Sequence, residues 1–360
     1  MADHSMHNIA GTAIGGEYMA HMNITMVLDE GYVLPTLVAV SSLIQEKKKE
    51  TVYDIYLIMQ GVSDKSKALF EKMEDKLNGA VFHFVTVDPA FIAEKFPLIK
   101  EKSSSANKTG LNKLFIADIL SDVDQVFYLD GDTVVQGDLT VALETELDDN
   151  TYVAAVRDTG GVYTTDVSLI GKREYINSGV MYLNLALLRK EDIPRKLLED
   201  RLNDPDTTHM DQNVHNRVFA GHIKYLPHNF NVMYPSLVRA HFLHHLSIER
   251  LNEFVEKDYR NWEDMADHAL ILHFATHDKP WKFTDSIGVE RWEKYYRESP
   301  ANGMLKERRT LHSKRILALG KHRLTRLLGL VLWELKTRGA KKTLLSKDFM
   351  LMKRNLKIKR

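Results

Sequence analysis

The sequence predicts an α/β fold built on a mainly parallel sheet flanked by helices. Short apolar runs alternate with apolar residues at helical spacing, and this alternation extends from residue 24 to residue 130. In sheets of this kind ligands gather at the carboxyl ends of the strands.

The first unit is an apolar run at 24–29 ending in Asp29, followed by Val33, Leu37, Val40 and Ile44 at helical spacing. A second strand at 53–59 precedes a helical pattern in Leu69, Phe70, Met73 and Leu77, with Ser63 as its cap. A third strand covers 80–87. After a polar loop around 100–110, a helix carrying Ile116, Ile119, Leu120 and Val123 leads into a strand at 126–130. Asp29 and Asp130 therefore both sit at carboxyl ends of predicted strands. From 150 onward the pattern is less regular, with strand-like runs at 152–156 and 180–185 and a loop-rich segment around 226–247.

The chain has 360 residues, enough for one large domain and an appendage. Its net charge is zero, yet residues 301–360 hold 18 Lys and Arg against Glu307, Glu334 and Asp348. The first 300 residues are correspondingly acidic. Within the basic segment Leu324, Leu327, Leu328, Val331, Leu332 and Leu335 form one helical stripe flanked by Lys and Arg. The expected division is a disordered leader at 1–21, a catalytic domain at 22–300 and a basic amphipathic helical tail at 301–360. The longest uncharged stretch of the tail, 327–333, is too short to span a bilayer, but a stripe bordered by cations suits an anionic membrane surface. A basic helix packed on the acidic body is the alternative. Nucleic acid is disfavoured as a partner, since no nucleic-acid-binding motif accompanies the charge.

There is no cysteine, which excludes thiol nucleophiles, disulfides and thiolate metal sites. The first 21 residues lack both Lys or Arg and a long apolar run, so no secretory signal is read there. Cytoplasmic residence, peripheral to the inner face of the membrane, is the expectation. The absence of GxGxxG and GxxxxGK[ST] disfavours a dehydrogenase-type dinucleotide site and a P-loop.

Two segments carry chemistry. In Tyr128-Leu129-Asp130-Gly131-Asp132 an apolar strand ends in two carboxylates one residue apart. Residues i and i+2 of an extended chain point to one side, so both can reach one hard cation that bridges a diphosphate. A solvated turn is the competing reading. The second segment, His273 to Trp281, also follows an apolar run; a neutral imidazole can complete a carboxylate metal site, and Lys279 can neutralise phosphate charge.

Together these segments resemble glycosyltransferase family 8, the retaining group that includes lipooligosaccharide galactosyltransferase-like, general stress protein A-like and glycogenin-like enzymes. The resemblance runs from about Ile24 to Trp281. It implies a glycosyltransferase-A type fold, a Rossmann-like mixed sheet, with Mn²⁺ or Mg²⁺ as cofactor, a UDP-sugar donor and a glycan or lipid-linked sugar acceptor. Asp130, Asp132 and His273 match the family's metal ligands, and Lys279 its phosphate-binding lysine. Asp29, Glu30 and Tyr32 fall where the family receives uridine, and Lys113 where it places a cation near the donor. Lys113 shares a helix face with Ile116 and Leu120, an unusual position for a solvated lysine. Asn177 in the YxNxGV match, and Asp211 and Gln212 in the DQD match, correspond to sugar-contacting residues, with Asp158 nearby. Away from the resemblance, Asn177 reads as a turn residue and Asp211 as a helix cap.

Three positions depart from the family pattern: Thr276 replaces a glycine, Asn213 the second aspartate of DQD, and Gly31 a frequent asparagine. A sugar-nucleotide nucleotidyltransferase and a non-catalytic nucleotide- or carbohydrate-binding module are the competing functions. The first needs a Gly-rich basic loop, and the segment after Asp29 has none.

Overall fold

The computed structural model describes residues 20–88, 109–159, 174–203, 210–233, 251–276, 278–286 and 288–308, with short pieces at 13–14, 17–18, 90–91, 94 and 248–249. The chain divides into Met1–Arg309 and Thr310–Arg360, and the second unit, which holds the basic amphipathic tail, lies outside the described residues. So do residues 1–12 of the expected leader. Ala13–Ile14 pairs antiparallel with Glu17–Tyr18. No helix among the described residues is long and apolar enough to cross a membrane.

The alternation read from the sequence is the architecture observed. Strand β1 (Ala20–Leu28) leads to α1 (Val33–Glu46), β2 (Thr51–Gln60) to α2 (Asp64–Glu71), and β3 (Ala80–Val87) follows. A 3₁₀ turn at Leu111–Phe115 and the short α3 (Ile116–Ile119) precede β4 (Gln125–Leu129) and β5 (Thr133–Val135). Then come β6 (Val153–Arg157), β7 (Ile176–Asn184), α4 (Leu185–Lys190), α5 (Ile193–Asn203), α6 (Met210–Val218) and β8 (Ile223–Tyr225). The last elements are β9 (Val232–Met233), α7 (Trp262–Asp267), β10 (Ile271–His273) and α8 (Val289–Glu298).

The main sheet has the order β8-β6-β7-β4-β1-β2-β3. Its pairings are parallel except that β7 runs antiparallel to both neighbours, β4 and β6. A small sheet, β9-β10-β5, lies beside it. Strand β7 is buried along its whole length, as a central strand covered on both faces must be.

Two predicted helices are shorter in the structure, for local reasons. α2 stops at Glu71, where Asp75 caps a separate 3₁₀ turn and Gly79 takes a left-handed conformation (φ 75°). Leu77 is consequently 96% exposed and joins no helical stripe. A Cβ at Gly79 would lie 2.5 Å from the Thr51 carbonyl oxygen, so the turn needs glycine twice over. The second helix reaches only Ile119, because Leu120 leaves helical geometry (ψ 60°).

The core is conventional, but two histidines are buried in it. His215 on α6 packs at 5.1 Å against Phe219, and His228 hydrogen-bonds Tyr259 Oη at 3.2 Å. Burial pushes both imidazoles down to about 4. Between that value and the ordinary 6.5 the unfolded chain binds protons that the folded chain refuses, so stability rises with pH across the window. It is expected to fall by about 3 kcal/mol per histidine as pH drops from 6.5 to 4. Urea midpoints measured across that range test this, and His228→Gln should flatten the slope. A midpoint independent of pH would contradict it.

Candidate active site

The site forms where β4 ends beside β7. Asp130 N donates to Gly179 O at 2.8 Å, which continues the β4–β7 ladder to the first carboxylate. Asp132 immediately precedes β5, and β5 pairs antiparallel with β10 so that Thr133 stands opposite His273. Phe274 N closes the pairing on Asp132 O at 2.9 Å. Asp132 and His273 are thus brought together by strand register across 141 positions of sequence.

Asp130, Asp132 and His273 each present a ligand atom, all within 4.8 Å of one another, and could hold a metal ion. His273 Nε2 lies 3.1 Å from Asp132 Oδ1 and 3.7 Å from Asp130 Oδ2. Asp132 Oδ1 is buried and has no hydrogen-bond partner among the described residues. An orphaned carboxylate oxygen beside an imidazole nitrogen is the donor set that a hard or borderline divalent cation takes. The residues fit such an ion.

Charge is managed by two lysines whose side chains are largely covered. Lys279 Nζ pairs with Asp132 Oδ2 and donates to Phe274 O at 2.6 Å. Burial opposes ionisation of Asp132, but Lys279 and His273 hold its carboxyl well below the usual range. Lys113 bridges Asp130 Oδ1 at 2.8 Å and Asp211 Oδ2 at 3.2 Å, with Tyr128 under it at 5.0 Å. Burial works against this ammonium, and the two carboxylates more than restore its charge. Tyr128 Oη donates to Asp130 Oδ1 at 2.6 Å.

Asn177, Asp158, Asp211 and Gln212 form one network beside this centre. Ser178 N donates to Gln212 Oε1 at 3.2 Å, which turns Gln212 Nε2 toward Asp158 Oδ2 at 2.8 Å. Asn177 Nδ2 donates to Gln212 Oε1 at 2.9 Å and to Asp158 Oδ2 at 3.1 Å. Asp211 accepts from Ser178 Oγ at 2.9 Å. Asn213, where the family pattern has a second aspartate, turns away and accepts from Tyr175 Oη at 2.6 Å.

The predicted nucleotide-side residues lie around the start of α1. Asp29 caps the turn before it, accepting from Gly31 N at 2.9 Å and Tyr32 N at 3.2 Å, and also from Thr109 Oγ1 at 3.1 Å. Glu30 accepts from Ser63 N at 2.9 Å and Ser66 Oγ at 2.6 Å, tying this turn to the start of α2. The Tyr32 ring meets Trp281 edge-on, centroids 6.1 Å apart. Burial and the charges of Asp132 and Asp130 push its phenol up. Thr276 Oγ1, in place of the family glycine, accepts from Asp278 N at 3.3 Å.

Two residues at the centre have roles that motif reading does not assign. A Cβ on Gly179 would lie 2.3 Å from His273 Cε1 and 2.7 Å from Asp130 Oδ2, so only glycine lets β7 pass this close to the cluster. Asn231, wholly buried, accepts from His273 Nδ1 at 3.0 Å. It falls in the segment that reads as loop, and nothing in its local spacing announces it.

Comparison with known proteins bears on the family and the fold. The family model described as glycosyl transferase family 8 matches residues 23–285. A lipopolysaccharide 1,2-glucosyltransferase of Escherichia coli is 24% identical over 289 residues, covering 77% of this chain and 78% of that protein. The galactosyltransferase LgtC, solved with donor and acceptor sugar analogues, superposes with a TM-score of 0.60 at 22% identity, covering 77% of this chain and 96% of that one. The bifunctional glycosyltransferase WbbM in its apo form superposes with a TM-score of 0.62 at 18% identity over 79% of this chain, which spans about half (51%) of WbbM.

Proposed function

Because the chain belongs to glycosyltransferase family 8 and has the glycosyltransferase-A fold, we propose that it moves a hexose or N-acetylhexosamine from a UDP-sugar to a glycan acceptor, retaining the anomeric configuration. The observation that carries this reading is the convergence of Asp130, Asp132 and His273 at the end of β4. These three would hold Mn²⁺ or Mg²⁺, which supplies the charge that stabilises a departing diphosphate.

Asp29, Glu30 and Tyr32 would receive the uridine, and Lys279 would neutralise a phosphate oxygen left in charge excess. Lys113, already spanning Asp130 and Asp211, links the diphosphate side of the pocket to the sugar side. Asn177, Asp158 and Asp211 offer the short amide and carboxylate groups that sort sugar hydroxyls. Gln212 stands among them as a catalytic-site amide held by the Ser178 backbone. An amide is a poor nucleophile, so retention by attack from the leaving-group face is favoured over a covalent glycosyl-enzyme.

The reading is tested by UDP release from UDP-sugars with Mn²⁺ present and after EDTA. Slow cation-dependent release without acceptor, accelerated by a glycan acceptor, is expected. Full activity in EDTA would contradict the cation assignment, and pyrophosphate-dependent turnover would point to nucleotidyl transfer instead.

The acceptor is proposed to be lipid-linked or at the cell surface, reached from the inner face of the membrane. The support is the basic, leucine-striped segment after residue 300. The full chain should float with anionic liposomes and a form ending at residue 305 should not; equal flotation of both would remove the tail from this role.

A further inference from the structure

The Gly179 amide can only donate, and this one fact fixes the hydrogens of three side chains in turn. Gly179 N donates to Asn177 Oδ1 at 2.9 Å, so the atom facing it is the amide oxygen. The same oxygen takes a second hydrogen bond from Asn231 Nδ2 at 2.9 Å, which orients the Asn231 amide. Asn231 Oδ1 is then left facing His273 Nδ1 at 3.0 Å, so that nitrogen must carry the proton. In a neutral imidazole the lone pair is consequently on Nε2, the atom 3.1 Å from the orphaned Asp132 Oδ1. All three side chains are buried, Asn231 and His273 almost completely, so water does not compete for these positions.

We infer that Asn231 is a positioning residue for the metal centre: through a relay anchored on the Gly179 backbone it holds His273 in the Nδ1–H tautomer, with Nε2 aimed at the cation. The inference rests on the cation-binding reading above and extends it to a residue that touches neither donor nor ion. It also makes Asn177 serve two pockets, since the amide that faces Asp158 and Gln212 is the one whose oxygen orients Asn231. Partners of this kind orient a ligating imidazole and raise its basicity.

The test uses the full chain labelled with ¹⁵N-histidine, His273 being assigned by its loss in His273→Gln. Long-range ¹H–¹⁵N spectra at neutral pH, without metal, should show His273 protonated on Nδ1; protonation on Nε2 would overturn the relay. Mn²⁺ affinity is read separately from the EPR signal of the free ion. Asn231→Leu, which keeps the branched shape and removes the acceptor, should weaken Mn²⁺ binding about 10- to 100-fold. Asn231→Asp gives up the donor to Asn177 but keeps an acceptor for Nδ1–H, and should lose less Mn²⁺ affinity than the leucine variant. Unchanged affinity in the leucine variant, or equal losses in both, would overturn the inference. Should Asn231→Leu not fold, Asn231→Ser is measured in its place with the same expected loss. If the unaltered chain binds no Mn²⁺ yet His273 carries its proton on Nδ1, the relay stands and the cation assignment fails.

Discussion

Asp132→Asn is expected to lower kcat/KM at least about 10³-fold and to remove the response to added Mn²⁺ at the same time, a loss of about 4 kcal/mol in transition-state stabilisation. The asparagine keeps the shape of the side chain but gives up the charge that Oδ1 would bring to a cation. It also leaves Lys279 without its carboxylate in a buried setting, where the loss of one partner costs about 3–5 kcal/mol of folding stability. Thermal unfolding must therefore accompany the kinetics. Asp130→Asn separates the two effects, because Lys113 retains Asp211 when Asp130 loses its charge. Turnover that remains cation-dependent and within tenfold of the parent in either variant would refute the assignment of these carboxylates.

Gly179→Ala should be nearly as damaging although it removes no functional group. The new methyl would sit 2.3 Å from His273 Cε1, far inside contact distance, and 2.7 Å from Asp130 Oδ2. Neither neighbour can yield freely: His273 is pinned through Asn231 and Asp130 through Lys113 and Tyr128. The expected result is a fall of about 10²-fold or more in both Mn²⁺ affinity and turnover, since displacements near 1 Å at a reacting centre cost that much. Overpacking should take a further 1–3 kcal/mol or so from stability. Folded Gly179→Ala with unaltered Mn²⁺ affinity would show that β7 can retreat from the cluster.

Much of this was legible in the chain because its signals are local. A strand announces itself over five or six residues, and Asp130-Gly131-Asp132 sits directly on the end of one, so the carboxylate pair could be placed by counting. Lys113 was expected on the apolar face of a helix with Ile116 and Leu120; it lies instead on the 3₁₀ turn at Leu111–Phe115, with Leu120 outside α3, and the structure gives it two carboxylates. The family resemblance supplied Asn177, Asp211 and Gln212, which the fold gathers into one network with Asp158. What escaped is what depends on approach between distant segments. Gly179 reads as the small residue of a motif, and its meaning lies in two atoms contributed by other strands. Asn231 sits just before a two-residue strand whose pairing with β10 no periodicity reveals. The ends of α2 and α3 were misread for a related reason: apolar residues continued the helical spacing past the point where Asp75 and Leu120 turned the backbone away.

The pairing of β5 with β10 has one more consequence. Three cross-strand partners bring Asp132 and His273 together, and from the chain that connects them only buried residues such as Gly179 and Asn231 bear on the imidazole. Doubling the length of a connecting loop costs only about 0.6 kcal/mol of closure entropy. The exposed turn at Asp148–Asn150 could thus be lengthened, or exchanged for a longer module, with no strain reaching the ion-binding residues.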